Sequence, residues 1–383
     1  MKWRKIKRLL RVARNIVVFF VVLSIGYLTF FPSPIDPLAY NPQPSQLLEN
    51  ALAPNKILTD AELWGDGKLS IPEDVAFDSQ GRLYTATSDG RVLRITNANG
   101  KETTKQIAKV GGHPLGLIIG RDDTLYVANH GVGLQSVSLD GTVRLLTNRY
   151  GDRPIRFADD LDVSSNGIIY FTDASAKFNN STLDTGPPYL PLDLLEARPH
   201  GTLYAYDTRT GETQMLLDEL YFANGVALTQ DESAVLVVET PRYRIRRLWL
   251  TGAKAGTSDI FADRLPGLAD GITSDRQGNQ YVTIQTLRTT LIDEILHPRP
   301  WAKAMLAKLP KSLWVRPKPY GLVIVYDETG KLITSLHDPQ GEVVFSVANA
   351  VPYQDKLYLG TLSNDAIAVL QNPVKLDQRS QQP

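Results

Sequence analysis

Six short phrases recur along the chain from about residue 70, and they carry a column of side chains able to do chemistry. They are PEDVAFD from Pro72, PLGLIIG from Pro114, ADDLDVS from Ala158, ANGVALT from Ala223, ADGITSD from Ala269 and ANAVPYQ from Ala348. Their second position reads Glu73, Leu115, Asp159, Asn224, Asp270 and Asn349, so five of six are oxygen-bearing in otherwise apolar phrases. One such residue ordinarily caps a turn. Five in register point to a shared duty. If the repeats are arranged about an axis, one column becomes one ring. Carboxylates and amides facing a narrow channel repel one another unless a hard cation sits among them. The column lacks Cys and His, which argues against zinc.

The third position adds Asp74 and Asp160. Successive residues of an extended chain point to opposite sides. These two carboxylates are therefore expected to face away from the first site, either towards a second, buried cation or into structural hydrogen bonds. His113 stands just before the second phrase, and His130 ends the strand of the same unit, in VANHG. A histidine pair at the channel mouth can act as a general base for water. Asp270 is the competing base. His200, His297 and His337 lie in insertions or turns and receive no role.

Each phrase is followed by a turn (SQGR, RDDT, SNGI, QDES, RQGN, YQDK) and then a strand (LYTAT, LYVAN, IYFTD, VLVVE, QYVTI, LYLGT). Gly, Asn and Asp supply the positive φ that hairpins need. The β-branched and aromatic residues suit a half-buried pleated strand. Units mostly 42 to 46 residues apart match a four-stranded propeller blade. The fold expected is an all-β, six-bladed propeller over residues 63–372. Two longer intervals hold insertions, one after Asp173 and one after Gln285. The second, TLRTTLIDEILHPRPWAKAMLAKLPKSLWVRPKPYG, has apolar and basic residues at helical spacing and two Trp. It reads as a helix capping one face, or as an amphipathic lid or membrane contact.

The chain has 383 residues, 43% hydrophobic and 21% charged, enough for a large core. Lys+Arg and Asp+Glu both total 41, so no net field attracts nucleic acid. The absence of cysteine excludes disulfides, thiolate metal sites and cysteine nucleophiles. Residues 1–32 read as a basic tail and transmembrane signal anchor, with a cleaved signal peptide as the alternative. Seven Lys and Arg precede the uncharged run from Asn15 to Ile35, which is just long enough to span a bilayer. All that charge lies before the run, so the N-terminus is expected in the cytoplasm and the rest across the membrane. A Pro-rich segment, 33–62, follows as an extended spacer, and 373–383 form a polar tail.

The stretches FADDLDVSSNGIIYFTDASAKF and GTLYAYDTRTGETQMLLDELYFANGVALTQDESAVLVVETPRYRIRRLWLTGAKAGT resemble the strictosidine synthase-like family, which includes adipocyte plasma membrane-associated protein. PRYRIRRLWLTGAKAG is the most specific part. The similarity runs from about Leu63 to Leu370 and extends to paraoxonases and SMP-30/gluconolactonases. The resemblance implies calcium in the channel. By position, the catalytic calcium of paraoxonases falls on Glu73, Asp159, Asn224 and Asp270. Their structural calcium falls on Asp74, Asp160 and the carbonyl of Leu115, and their histidine dyad on His113 and His130. Paraoxonases have Asn where Asp159 stands and a second Asn where Gly271 stands. The extra charge tightens calcium and blunts its Lewis acidity, and LADG is closer to gluconolactonases. Strictosidine synthase uses a glutamate early in its last blade. The matching FSVANA has no acid, and none occurs between Glu342 and Asp355, so strictosidine formation is not expected. The function expected is a membrane-anchored, calcium-dependent hydrolase of a small lactone or aryl ester. The alternative is a non-catalytic, membrane-tethered propeller that binds a ligand or partner protein.

Overall fold

The computed structural model describes residues 2–65, 67–98, 101–179, 189–314 and 317–380. Six four-stranded antiparallel sheets form six propeller blades. Their inner strands are Val75–Phe77, His113–Ile119, Ala158–Val163, Ala223–Leu228, Gly267–Ser274 and Val347–Tyr353. Five of the six repeated phrases lie on these strands, and PEDVAFD runs into the first of them. Each of the six hairpin turns contains a residue with positive φ. Gly81, Asp123 and Gly167 supply it in the first three. In the fifth, Arg276 and Gly278 both adopt it, and in the fourth and sixth Glu232 and Gln354 do, Cβ-bearing residues like Asp123 that accept the strain.

The sixth sheet closes the ring. Its outermost strand, Glu62–Trp64, comes from the N-terminal side and pairs Glu62 with Val369 and Trp64 with Ile367. The edge that would invite a foreign strand is thereby covered. The core lies between blades. Tyr126, Ala128 and Leu134 of the second pack on Ile169, Phe171 and Tyr204 of the third. Val75, Leu83 and Leu93 of the first meet Tyr358, Ile367 and Val369 of the sixth. Each such buried side chain stabilises the fold by about 1.5–3 kcal/mol before entropy is counted.

The segment 33–62 is extended through its prolines and then makes two short 3-10 turns, Asn50–Leu52 and Ile57–Asp60, and it is bound to the propeller along its length, so it is not a free spacer. Ile35, Leu52 and Leu58 are buried in three separate core clusters. Backbone bonds join Leu38 to Glu196, Tyr40 to His297 and Gln46 to Arg264. Apolar residues spaced along the prolines found partners that local pattern could not specify. The N-terminus is one helix, Lys2–Phe30, whose part Ile6–Phe30 is long and apolar enough to cross a membrane. The insertion after Gln285 is helical, with a π-helical turn Leu291–Leu296 and an α-helix Pro300–Ala307. The insertion after Asp173 contributes an α-helix, Tyr189–Glu196; its residues 180–188 lie outside the described set. The polar tail carries a further helix, Pro373–Ser380, anchored by buried Val374.

Candidate metal centre

The column of the repeat becomes a ring because the inner strands are bulged. In blades two to six the register shifts at Pro114/Leu117, Ala158/Leu161, Ala223/Val226, Ala269/Ile272 and Val347/Ala350. A bulge inserts an unpaired residue and re-aims its side chain. In each case the shifted stretch contains the column residue. Three threonines of the adjoining strands fill the gaps. Thr85 donates to the Asp74 carbonyl, Thr172 to that of Asn224 and Thr283 to that of Ala348. Glycines then let the blades close on the axis. A Cβ at Gly225 would lie 2.5 Å from the Ile272 nitrogen, and one at Gly271 would lie 2.6 Å from the Ala348 carbonyl oxygen. A side chain at residue 271 is therefore incompatible with this backbone, which accounts for glycine in LADG.

Glu73, Asp159, Asn224 and Asp270 all line one cavity of about 20 Å³, with Asp74, Asp160 and Asn349 also on its wall. That is room for one ion or one water. No Lys or Arg lines it among the described residues. Burial first, then the charges of Asp270, Asp159 and Asp74, hold the Glu73 carboxyl well above the usual carboxylate range. Burial, then Asp270, does the same to Asp159. Burial pushes Asp270 up to about 7, against the pull of a hydrogen bond from the Asn224 amide. That amide donates Nδ2–H to Asp270 Oδ1 at 2.5 Å. Rotating it by half a turn would present its oxygen instead. Among the described residues no three His, Asp or Glu groups yet stand around one metal-sized point. The donor set nevertheless fits a hard divalent ion: three mutually repelling carboxylates and an amide, without a cationic counterpart.

Asp74 and Asp160 take a different part. Asp74 accepts from Val75 N at 2.8 Å and from Leu117 N of the next blade at 2.8 Å. Asp160 accepts from Leu161 N at 2.9 Å and from Val226 N of the next blade at 2.9 Å. Both oxygens of each bracket two inner strands, a structural role that needs no ion. Leu115 is buried at the rim. Asp162 repeats the bracket to Leu228 N and adds an ion pair to Arg276. Asp74, Asp160 and Asp162 also line a vestibule of about 510 Å³ that holds residues from the far ends of the inner strands.

His113 and His130 are directly opposed on neighbouring strands of the second blade. Both are buried, and His113 Nε2 lies 3.4 Å from Glu73 Oε1. Burial and then His130 bring His113 down to about 4. Burial brings His130 down to about 4. Neither ring nitrogen of His113 has a hydrogen-bond partner among the described residues, so the rings adjoin without a bond through His113. His130 stacks on Phe157 with centroids 4.0 Å apart. Phe157 meets Phe222 edge-on at 5.4 Å. Phe157 and Phe222 pack with Ala174 and Leu190 around Leu115, which lines the cavity. Sequence reading missed both phenylalanines, although each directly precedes a repeated phrase, in FADD and FANG. It also missed Gln285, whose amide reaches Asp270 Oδ1 at 3.4 Å.

Residues 159–253 match the family model for strictosidine synthase, and residues 51–95 match that for the strictosidine synthase-like N-terminal region. Adipocyte plasma membrane-associated protein of Bos taurus is 34% identical over 367 residues, covering 90% of this chain and 87% of its own length. Strictosidine synthase-like 13 of Arabidopsis thaliana is 30% identical, covering 94% of this chain and 95% of its own. Among solved structures, a gluconolactonase from Xanthomonas campestris superposes with a TM-score of 0.59 at 21% identity, covering 89% of this chain and 99% of its own. The calcium-binding protein regucalcin from Agrobacterium tumefaciens gives 0.56 at 15% identity, with 80% and 92% covered. Both structures share the six-bladed propeller fold.

Proposed function

The chain belongs to the strictosidine synthase-like family, and from that premise we propose that it is a membrane-anchored, calcium-dependent hydrolase of a small lactone or aryl ester. The observation that carries this reading is the shared cavity of Glu73, Asp159, Asn224 and Asp270, walled by carboxylates and free of any basic group among the described residues. These four residues would hold the ion. Bound there, calcium would polarise the substrate carbonyl and stabilise the oxyanion formed on attack. Leu115, on the cavity wall with Phe157 and Phe222 packed around it, would give the substrate's alkyl or aryl part an apolar neighbour. His113, neutral at pH 7 because burial has lowered its pKa to about 4, presents an unpaired ring nitrogen beside Glu73. It would accept the proton of the attacking water. The water oxygen bonds to the carbonyl carbon, the ester C–O bond breaks, and the alcohol or phenol leaves with a proton. The anchor is the helix Ile6–Phe30, with the basic tail in the cytoplasm and the propeller outside it. Relatives named for plasma-membrane association support it.

The competing reading, a tethered binding module, draws on those same names, which state a location and no reaction. The deciding experiment is a lactone and aryl-acetate screen on purified full-length protein in detergent, with calcium and with chelator. Turnover that disappears with chelator, returns with calcium and is absent from Asp270→Ala supports the hydrolase. Calcium binding without turnover of any substrate assigns the binding module.

A further inference from the structure

The helical insertion leaves an apolar face that nothing covers among the described residues. Trp301 is 65% exposed and Met305 36% exposed, one turn apart on the helix Pro300–Ala307. Ile295 and Leu313, 46% and 63% exposed, continue the face on either side. The opposite face is apolar too, and it is buried: Ala307 and Leu296 pack with Leu192, Leu195, Phe178 and Ile35. A helix whose second apolar face is unmet in water has a second partner.

Its position says which. The C-terminal end of the apolar helix Ile6–Phe30 lies against this insertion. Tyr27 donates to the Lys308 carbonyl at 3.3 Å, Lys308 Nζ to the Leu28 carbonyl at 2.7 Å, and Ser33 to the Ala304 carbonyl at 3.4 Å. The exposed Trp301–Met305 face thus begins where the candidate membrane span ends, beside Phe30 and Phe31, 85% and 60% exposed. From Ile295 to Lys318 the sequence has Arg299, Lys303, Lys308, Lys311, Arg316 and Lys318, and no acidic residue. Tryptophan with basic residues is the composition of the bilayer interface, where the indole sits at headgroup level and exposed cations, Arg299 among them, meet lipid phosphates. Lys303 is buried on the Leu38 carbonyl and takes no part in that contact.

We propose that residues 295–314 form a second, interfacial membrane contact, which seats the face of the propeller carrying the cation cavity on the lipid surface. The helix Tyr189–Glu196 links the two features. Its Leu192 and Leu195 pack on the insertion, while its Leu190 packs with Phe157, Phe222 and Leu115, the last of which lines the cavity. The inference rests on the anchoring role given above to Ile6–Phe30.

The chain has no cysteine, so single cysteines can carry a fluorophore without background. Full-length Trp301→Cys, Leu313→Cys, Phe20→Cys and Leu139→Cys would be labelled with an environment-sensitive dye. They would then be reconstituted in phosphatidylcholine–phosphatidylglycerol vesicles containing nitroxide-labelled lipid. Leu139 is the control: it lies in the turn Ser138–Thr142, at the end of the second blade away from the cavity. Labels at residues 301, 313 and 20 are expected to lose most of their emission, and the label at 139 to keep it. Far-UV circular dichroism checks that each variant is folded. Quenching at 20 with emission at 301 and 313 matching 139 overturns this inference and leaves the anchor standing. No quenching at 20 overturns both. Labels at 301 and 313 that report a second copy of the chain, and not lipid, assign the face to self-association and also overturn the inference.

Discussion

Asp159 and Asp160 are neighbours in sequence, yet they belong to different parts of the machine. Asp160, like Asp74 and Asp162, has each of its oxygens on a backbone N–H, one in its own blade and one in the next. Asp159, like Glu73, faces other carboxylates across a cavity too small for more than an ion or a water. Burial raises the carboxyl of both neighbours, and backbone hydrogen bonds pull back only Asp160, to about 7. A satisfied buried carboxylate works as a staple, whereas an unsatisfied one keeps its lone pairs for a ligand. The layer beneath the ring therefore holds the propeller together, and the ring itself is left free for chemistry.

The comparison can be tested at its sharpest contrast first. His113 belongs to the ring layer: it is buried and its nitrogens are unpaired among the described residues. His113→Gln is expected to lower hydrolysis by about 10²–10⁴-fold with the melting temperature little changed. A variant that keeps most of its activity and shifts only substrate preference would move the base to Asp270.

Asp160→Ala should do the reverse. It strips the Leu161 and Val226 N–H groups of their acceptors inside the core, at a cost of about 2–4 kcal/mol. Chemical denaturation would show that as a lower midpoint. Asp159→Ala, which removes only a repelling charge, is expected to leave the calcium-free midpoint unchanged or higher. Equal losses for the two variants would erase the distinction between layers.

The smallest effect is on pH. Calcium must displace protons from carboxyls that burial has raised, Asp270 to about 7 and Glu73 and Asp159 upward as well. Affinity should therefore weaken as pH falls below 7, by about tenfold per unit for each proton displaced. Titration calorimetry at pH 6, 7 and 8 would read it. The histidines titrate lower. Depressed from 6.5 to about 4, His113 stays neutral through that range, so its acid limb in kcat/KM at saturating calcium belongs near 4. An acid limb near 6.5 that is unmoved by added calcium would contradict the burial of that ring.

Much of this was legible in the chain because repetition is a linear property. Turn residues, strand residues and the Glu73–Asp159–Asn224–Asp270 column recur at blade spacing, and repeats that must bury a face against one another close into a propeller. The same register sets His113 opposite His130, since both lie on the flanks of one hairpin. An uncharged run after seven basic residues needs no fold to be recognised as a span long enough for a bilayer. What only the tertiary structure decided depends on contacts between distant segments. Alternation put Asp74 and Asp160 behind the ring, but the bulges and the adjoining blades made them brackets and placed them on the cavity wall as well. The prolines of 33–62 dictated an extended path, while the pockets that took Ile35, Leu52 and Leu58 fixed where it runs. Burial, joined at His113 by the charge of His130, lowered the histidines, and burial raised Asp270. A sequence states which groups carry charge, but the dielectric around them and the donors that reach them exist only once six blades have closed on one axis.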